Sequence, residues 1–207
     1  MAQRENLNVS LCPLSTRQDL IESCAELIKI TWPCSKPERL HRMAAEETSG
    51  LPCCLVLIEH REDAPDAVIG HTRFVKVMSP ETPPSAYVEA FCIHPSKRGL
   101  GLGSRMLDLA ERHTFKNFGC KQSFLICHES LMDFYKRISY QLYPVLKLET
   151  VGANLLSHFD GAATWYGNKP RKGWEFVYSD GPHASKEDME MRIFGHLTMR
   201  KYLKDYY

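Results

Sequence analysis

The chain has 207 residues, 43% of them hydrophobic, which suits one compact domain with a sizeable core. Its formal net charge of +1 excludes a global electrostatic field that would favour nucleic acid or an acidic membrane. No apolar run reaches the roughly 20 residues of a membrane span, and the first residues carry no apolar core of secretory type. We therefore expect a cytoplasmic protein, with the nucleus as the alternative.

Hydrophobic periodicity predicts strands and helices that alternate along the chain. In chain order these are a strand at 7–11, helices at 15–30 and 37–47, a hairpin of strands at 54–59 and 67–77, a strand at 87–93, a helix at 104–118, a strand at 122–127, a helix at 131–138, and strands at 141–148 and about 194–202. Ser15 or Thr16 is expected to cap the first long helix. Periodicity is lost at about 150–190, which predicts an insertion or long loop within a single domain spanning residues 1–207.

The eight cysteines are spread along the chain without a Cys-x-x-Cys pair. The adjacent Cys53 and Cys54 suit neither a common zinc spacing nor a disulfide framework. We therefore expect reduced thiols that pack as small hydrophobic side chains, and no metal site.

Three glycines at alternate positions lie between the strand at 87–93 and the next helix, in the segment Arg98-Gly99-Leu100-Gly101-Leu102-Gly103. A strand, a glycine turn and a helix present amide groups at the positive end of the helix, where phosphate oxygens bind. Glycine also allows close approach, because a Cβ would hold a ligand off the backbone. The segment lacks the lysine of a P-loop, and Ser104 stands where the dinucleotide fingerprint needs its last glycine. A plain glycine-rich turn is the alternative.

The pattern Arg-x-x-Gly-x-Gly, which begins at Arg98, resembles the pyrophosphate loop of the GNAT (Gcn5-related N-acetyltransferase) superfamily. His94-Pro95 follows the strand as in that family, and residues 134–142 (FYKRISYQL) resemble its Phe-Tyr-x-x-x-Gly-Phe element, with Ser139 at the glycine position and Tyr140 at the aromatic one. The resemblance implies an α/β (α+β) GNAT fold, a mixed, mostly antiparallel sheet of about seven strands with helices on both faces.

The resemblance implies acetyl-CoA as co-substrate and no metal. The glycine loop would hold the pyrophosphate, and the strand at 87–93, splayed from its neighbour, would hold the pantetheine arm. The residues expected to bind the coenzyme are Ala90, Phe91, Cys92, Ile93, Arg98, Gly99, Leu100, Gly101, Leu102, Gly103, Ser104 and Ser130.

Acetyl transfer to an amine needs a neutral amine, a polarised carbonyl and a proton for the leaving thiolate. Tyr135 matches the family tyrosine that faces the coenzyme sulfur and is the candidate acid, with a core tyrosine as the alternative. Glu89 shares a strand face with Phe91 and could take the amine proton directly or through water, or it could be an ion-paired carboxylate. His128 could assist the base, contact coenzyme or cap a turn, whereas His71 is expected to be structural.

Residues 26–43 (ELIKITWPCSKPERLHRM) resemble the helix-loop-helix of the actin N-terminal acetyltransferases, in which Trp-Pro precedes Arg-Leu-His. Arg39 and Arg42 are three residues apart and share a helix face, which suits a carboxylate-rich ligand, although a solvated basic face has the same pattern. The resemblance implies substrate binding by Trp32, Cys34, Arg39, Leu40, His41 and Arg42, with Cys34 in place of a basic residue.

These features predict an N-terminal acetyltransferase for acidic protein N-termini, with processed actin as the substrate. Some relatives have a proline-rich loop before the final strand, which implies profilin binding. This chain has no such loop after Leu148, so profilin is an unsupported partner. A GNAT enzyme for small amines or protein lysines and a non-catalytic acyl-CoA-binding module are the alternatives. The Arg39 and Arg42 pair argues against a small-amine enzyme, and Glu89 together with Tyr135 argues against a module without catalysis.

Overall fold

The computed structural model describes residues 7–32, 50–77, 83–143, 150–151 and 196–203. Its helices and strands in these ranges are β1 (Val9–Pro13), α1 (Ile21–Thr31), β2 (Cys53–Glu59), β3 (Ala67–Val77), β4 (Ser85–Ile93), α2 (Leu102–Phe118), β5 (Gln122–His128), α3 (Met132–Arg137), β6 (Gln141–Leu142), β7 (Thr150–Val151) and β8 (His196–Tyr202). The described strands follow the order β1-β2-β3-β4-β5-β8-β6, and β7 pairs with β3 outside this order. The sheet is mixed and mostly antiparallel, which confirms the predicted fold class.

Most predicted elements lie within two residues of the observed bounds, including the final strand, which is β8. The predicted helix at 37–47 lies outside the described residues. The predicted strand at 141–148 is described only as β6, and the predicted long loop begins with the short strand β7, which pairs with Lys76 and Val77 of β3. The single-domain prediction stays a prediction.

The start of the first helix differs from the prediction. Two short 3-10 turns, Leu14–Thr16 and Gln18–Leu20, precede α1, and Leu20 precedes its first residue without a side-chain cap. The Thr16 hydroxyl donates instead to the Pro13 carbonyl at 2.7 Å. The predicted cap at Ser15 or Thr16 is therefore wrong, because a hydroxyl bonded within a 3-10 turn is not at the helix start.

The first of two compact units comprises the described residues of 1–74 and 89–113. Here β1, β2 and β3 form an antiparallel ladder, with Ser10 opposite Ile58 and Val56 opposite His71. The core of this unit consists of apolar side chains from β2, β3, β4 and α2, namely Leu57, Ile69, Ile93, Leu102 and Met106. Gly70 is required in this core, because an added Cβ would lie 2.6 Å from the Met106 sulfur.

The second unit comprises the described residues of 75–88 and 114–207. In this unit β8 pairs with β5 along its length and with β6, both in antiparallel orientation. Its core contains Val75, Val77, Tyr87 and Phe124, with Ile126 and Tyr143 packed against them. The first residues of β4 pair with β5 in parallel, which gives the sheet its mixed character.

Candidate active site

The pairing of β4 with β5 is short. Registered parallel pairs run from Ser85 to Tyr87 on β4, although β4 continues to Ile93 and β5 to His128. The backbone of β4 beyond Tyr87 is therefore outside this ladder, as the family resemblance implies for the strand that holds the pantetheine arm. Ala90 and Phe91 are half-buried there, whereas the Cys92 and Ile93 side chains are buried. Of the predicted coenzyme contacts, Cys92 and Ile93 could therefore make only those of the backbone.

A buried histidine supports an irregularity in β4. Ala90 has a φ of +46°, which is unusual for a residue with a Cβ. Its carbonyl lies 2.9 Å from Nδ1 of His71, so this nitrogen carries the proton and donates. In the neutral ring Nε2 then accepts from the Cys54 thiol at 3.4 Å. Because the Ala90–Phe91 peptide is trans, the Phe91 N–H points away from His71. His71 is 1% exposed, which agrees with the structural role expected for it.

The glycine loop between β4 and α2 has the geometry of an anion cradle. Gly99 and Gly101 have φ of +80° and +77°, which only glycine adopts readily, and an added Cβ would meet no atom within 4 Å at either position. The helix α2 begins at Leu102, and its first i→i−4 bond runs from the Arg105 N–H to the Gly101 carbonyl. Gly103 and Ser104 lie in this first turn, so their amides point along the helix axis toward the loop.

Arg98 precedes the two left-handed glycines. Its Nε donates to the Ile93 carbonyl at 3.1 Å, which ties the loop to the end of β4. Its two Nη groups make no hydrogen bond to any described residue. The guanidinium is therefore anchored at one nitrogen and can bind an anion with the others. Leu100 is 58% exposed beside it.

Glu89 lies in a buried ion pair. Its Oε2 is 2.6 Å from Nη1 of Arg73, and the two side chains are 1% and 4% exposed. Arg73 is not among the residues predicted from the sequence, because its partner is 16 residues away. Alternation along β3 places Arg73 on the same face as His71, and that signal could have drawn attention to both residues. The arrangement matches the ion-paired alternative for Glu89 and leaves its catalytic role a prediction.

Tyr135 is buried in α3 with its ring against Phe134 and Tyr140, at centroid distances of 5.0 and 5.7 Å. Burial raises the pKa of Tyr135 well above its usual value, and the charge of an ionised Cys127 raises it further, so the hydroxyl is protonated at neutral pH. This hydroxyl makes no hydrogen bond to any described residue. Tyr140, in contrast, shares a 2.7 Å hydrogen bond with Ser123. Tyr135 is thus a proton donor whose partner can come from a ligand.

His94, which follows β4, and His128, the last residue of β5, form the same local motif. Nδ1 of His128 accepts from the Ser130 amide at 3.2 Å and lies 2.9 Å from the Ser130 hydroxyl. His94 makes the same two contacts with Ser96. Each histidine caps a 3-10 turn, the capping alternative for His128. Both His128 and Ser130 are exposed, so their predicted contacts with coenzyme stay predictions.

Most of the predicted acceptor site lies outside the described residues. Trp32 is described: its amide donates to the Ile28 carbonyl at 2.8 Å at the end of α1, and its side chain is half-buried. The other predicted substrate-binding residues, Cys34, Arg39, Leu40, His41 and Arg42, lie in the range 33–49, which the structure does not describe.

The other sequence-based expectations concern metals, thiols and membranes. Within the described ranges, the cysteines are free thiols, and no group of three or more His, Cys, Asp or Glu side chains could hold a metal ion. No helix in the described part of the chain is long and apolar enough to cross a membrane.

The sheet order, the short β4–β5 ladder and the glycine loop are the features of an acetyltransferase. The chain matches the model of the acetyltransferase (GNAT) family over residues 21–140, more than half its length, and it belongs to this family. The chain is also similar to mouse (Mus musculus) N-alpha-acetyltransferase 80, with 32% identity over 128 residues, which are 61% of this chain and 39% of that protein. It therefore spans well under half the length of this relative.

Two solved structures share the fold. One is the NatC complex bound to Gag peptide and CoA, with a TM-score of 0.52 and 13% identity over 67% of this chain and 88% of that chain. The other is a spermidine N-acetyltransferase SpeG chimera from Vibrio cholerae and hSSAT, with a TM-score of 0.56 and 11% identity over 96% of this chain and 97% of that chain. At these identities the similarity concerns the fold alone.

Proposed function

We propose that the protein transfers the acetyl group of acetyl-CoA to the α-amine of acidic protein N-termini, with processed actin as the substrate. The observation that carries the proposal is the loop between β4 and α2, where two left-handed glycines lead into a 17-residue helix. The similarity to a mouse N-alpha-acetyltransferase supports an N-terminal amine as the acceptor.

The described residues fit the coenzyme. The first amides of α2 and the Arg98 guanidinium offer hydrogen bonds and positive charge for a pyrophosphate, and neither left-handed glycine places a Cβ in the way. The Phe91 amide, turned away from His71, is a donor for the thioester carbonyl. When bound, acetyl-CoA supplies the activated acetyl group. The chain's own groups orient the thioester and provide the proton that the leaving sulfur needs.

Two side chains carry the proton transfers in this proposal. Tyr135 donates its hydroxyl proton to the thiolate as the carbon–sulfur bond breaks, and its raised pKa ensures that the proton is present beforehand. Glu89 receives the ammonium proton through water, since a side chain that is 1% exposed cannot contact the amine directly. Arg73 stabilises Glu89 as a carboxylate, the form able to accept a proton.

In this proposal, the segment that follows α1 selects acidic protein N-termini. An ammonium that must lose its proton cannot be the main anchor of the peptide, so the neighbouring carboxylates supply the selective binding. Arg39 and Arg42 are suitable partners because their spacing places two guanidiniums on one face of a helix. His41 adds a third donor.

The proposed substrate class can be tested by acetyl incorporation. Labelled acetyl-CoA is incubated with peptides that begin Asp-Asp, Glu-Glu, Met-Asp or Ser-Gly, with an N-blocked lysine peptide and with spermidine. We expect kcat/KM to be at least ~10-fold higher for the Asp-Asp and Glu-Glu peptides, because each charged hydrogen bond contributes about 1.5–3 kcal/mol. Equal or faster modification of the lysine peptide or spermidine would identify a different acceptor. Coenzyme binding without any transfer would identify a non-catalytic module.

A charge reversal separates acceptor binding from coenzyme binding. Replacing both Arg39 and Arg42 by glutamate should raise KM for acidic peptides by at least ~100-fold, with acetyl-CoA affinity unchanged. The matched control is the double variant Arg61→Glu and Lys116→Glu, which changes the net charge by the same amount at an exposed loop residue and an exposed residue of α2. If the control raises KM as much, net charge rather than the segment after α1 governs peptide binding.

A further inference from the structure

Three polar side chains in the first unit form a continuous hydrogen-bonded chain. Ser10 lies on β1, His60 directly follows β2, and Asp66 directly precedes β3. The Ser10 hydroxyl oxygen is 2.7 Å from Nε2 of His60, and Nδ1 of His60 is 2.9 Å from Oδ1 of Asp66. None of these residues belongs to the site proposed for acetyl transfer.

The charge state of Asp66 determines which atoms donate and which accept in this chain of hydrogen bonds. Both the His60 and Arg17 side chains hold the pKa of Asp66 below its usual range, so Asp66 is a carboxylate at neutral pH and can only accept. Nδ1 of His60 therefore carries the proton, and in the neutral ring Nε2 is the acceptor for the Ser10 hydroxyl. Arg17 binds the other oxygen of Asp66 at 3.0 Å, which fixes the carboxylate and leaves Oδ1 for His60.

We propose that Ser10, His60 and Asp66 form a second reactive site, in which Ser10 is a nucleophile for small activated carboxylic esters. The two contacts have the order that such chemistry requires: nucleophile to base, and base to an orienting acid. The site is reachable, since the His60 and Asp66 side chains are 34% and 26% exposed.

The backbone amide that follows Ser10 is a donor for the developing oxyanion, because β1 is an outer strand. The His60 backbone N–H donates to the carbonyl of Asn8, which precedes β1, so the residues of β1 whose backbone groups bond β2 are Ser10 and Cys12. The amide of Leu11 therefore faces the other edge of β1, which pairs with no described strand. An amide directly after the nucleophile is the donor that other serine nucleophiles use.

The reaction balances without a further reactant besides water. Ser10 Oγ attacks the ester carbonyl carbon, and its proton passes to Nε2 of His60. The carbon–oxygen bond to the alcohol then breaks, and the leaving oxygen takes that proton, which gives the free alcohol and an acyl ester on Ser10. Water attacks this ester, with its proton passing through His60 to the Ser10 oxygen, and the products are a carboxylic acid and the restored serine.

The test uses the full chain with a tagged fluorophosphonate, which phosphonylates activated serines. We expect labelling of the folded parent at Ser10, mapped by mass spectrometry, and hydrolysis of p-nitrophenyl acetate above the buffer rate. His60→Gln should slow labelling by about 10²-fold through loss of the base, and Asp66→Asn should slow it through loss of the orienting charge. Ser10→Ala should abolish labelling, whereas acetyl transfer from acetyl-CoA should be unchanged.

Ser96→Ala is the matched control, because Ser96 also contacts a histidine but through Nδ1 and within a 3-10 turn. Its labelling should equal that of the parent. Absence of a labelled Ser10 peptide in the folded parent would overturn the proposal, and this result does not depend on the folding of any variant. Labelling at Ser10 that persists in His60→Gln would overturn it equally. Neither result bears on the acetyltransferase proposal, which uses other residues.

Discussion

Arg73 and Glu89 form a 2.6 Å ion pair with both side chains almost fully buried, between a hairpin strand and the strand that carries the candidate coenzyme contacts. Removal of two charges from water is costly, and the pair is tolerated only while each partner compensates the other. The pair therefore fixes the position of a carboxylate near the β4 irregularity at Ala90. Because of this coupling, the activity of a single Glu89 variant is informative only where the variant is shown to be folded.

A double-mutant cycle separates the structural role of this pair from a catalytic one. Arg73→Met should lower the free energy of unfolding by about 3–5 kcal/mol, because Glu89 is left as an uncompensated buried charge. Adding Glu89→Gln should recover a substantial part of this loss, since the neutral amide needs no counter-charge. The measurement is urea unfolding of the two single variants and the double variant. A double variant no more stable than Arg73→Met would contradict the coupling.

The activity of Glu89→Gln addresses the base role. If Glu89 accepts the amine proton, this variant should lose most activity at low pH, where more of the amine is protonated. The measurement is the pH profile of kcat/KM in parent and variant under conditions where both are folded. Two parallel profiles would remove Glu89 from the mechanism and leave it the structural role that its ion pair already supports.

The sequence predicted the strands and helices better than the side-chain contacts. The strand at 67–77 was placed correctly, because alternation and flanking turn residues are local signals. Contacts of His71 with Cys54 and Ala90, in contrast, join three strands, and no local pattern encodes that register. The glycine loop could be predicted because a left-handed backbone favours glycine, which is visible in the sequence itself. The 3-10 turns before α1 were missed because their composition also suits a helix start.

A substitution in the glycine loop tests the phosphate cradle. Gly101→Glu should lower acetyl-CoA affinity by about 2 kcal/mol or more, because it adds a negative charge at a helix N-terminus beside the phosphates. Its control is Gly101→Asn, which adds a side chain without charge and tolerates the φ of +77° better than most residues. The measurement is calorimetric titration of the folded variants. Parent-like affinity in Gly101→Glu would remove the loop from the coenzyme site.

The C-terminus of α3 predicts a stabilising substitution. Ser139 has a φ of +73°, and the Tyr140 N–H bonds the Tyr135 carbonyl while the Ser139 N–H bonds the Lys136 carbonyl. This is the helix ending that favours glycine at the left-handed position. Ser139→Gly should raise the free energy of unfolding by about 0.5–1 kcal/mol, because relief of strain exceeds the added chain entropy. Ser139→Val should lower it, and thermal unfolding of both variants provides the measurement.

Tyr135→Phe tests the proton donor that the structure leaves with an unpaired hydroxyl within the described residues. Turnover should fall by about 10²-fold with little change in either Michaelis constant, because the lost proton transfer belongs to the transition state. Tyr140→Phe is the matched control: it removes a buried hydroxyl whose partner is Ser123, so it should cost stability and leave turnover near that of the parent. A parent-like rate in Tyr135→Phe would make Tyr135 a packing residue.

The raised pKa of Tyr135 adds a second signature in the pH dependence of stability. The unfolded chain loses this proton near pH 10, whereas the folded chain keeps it to higher pH, so the folded state binds more protons in that window. The stabilisation from this group is complete below about pH 10 and is lost as the pH rises toward the folded pKa. Tyr135→Phe should therefore show a shallower alkaline decline in the free energy of unfolding than the parent. Denaturant unfolding between pH 8 and 12 measures it, and identical declines would show that burial does not shift this group.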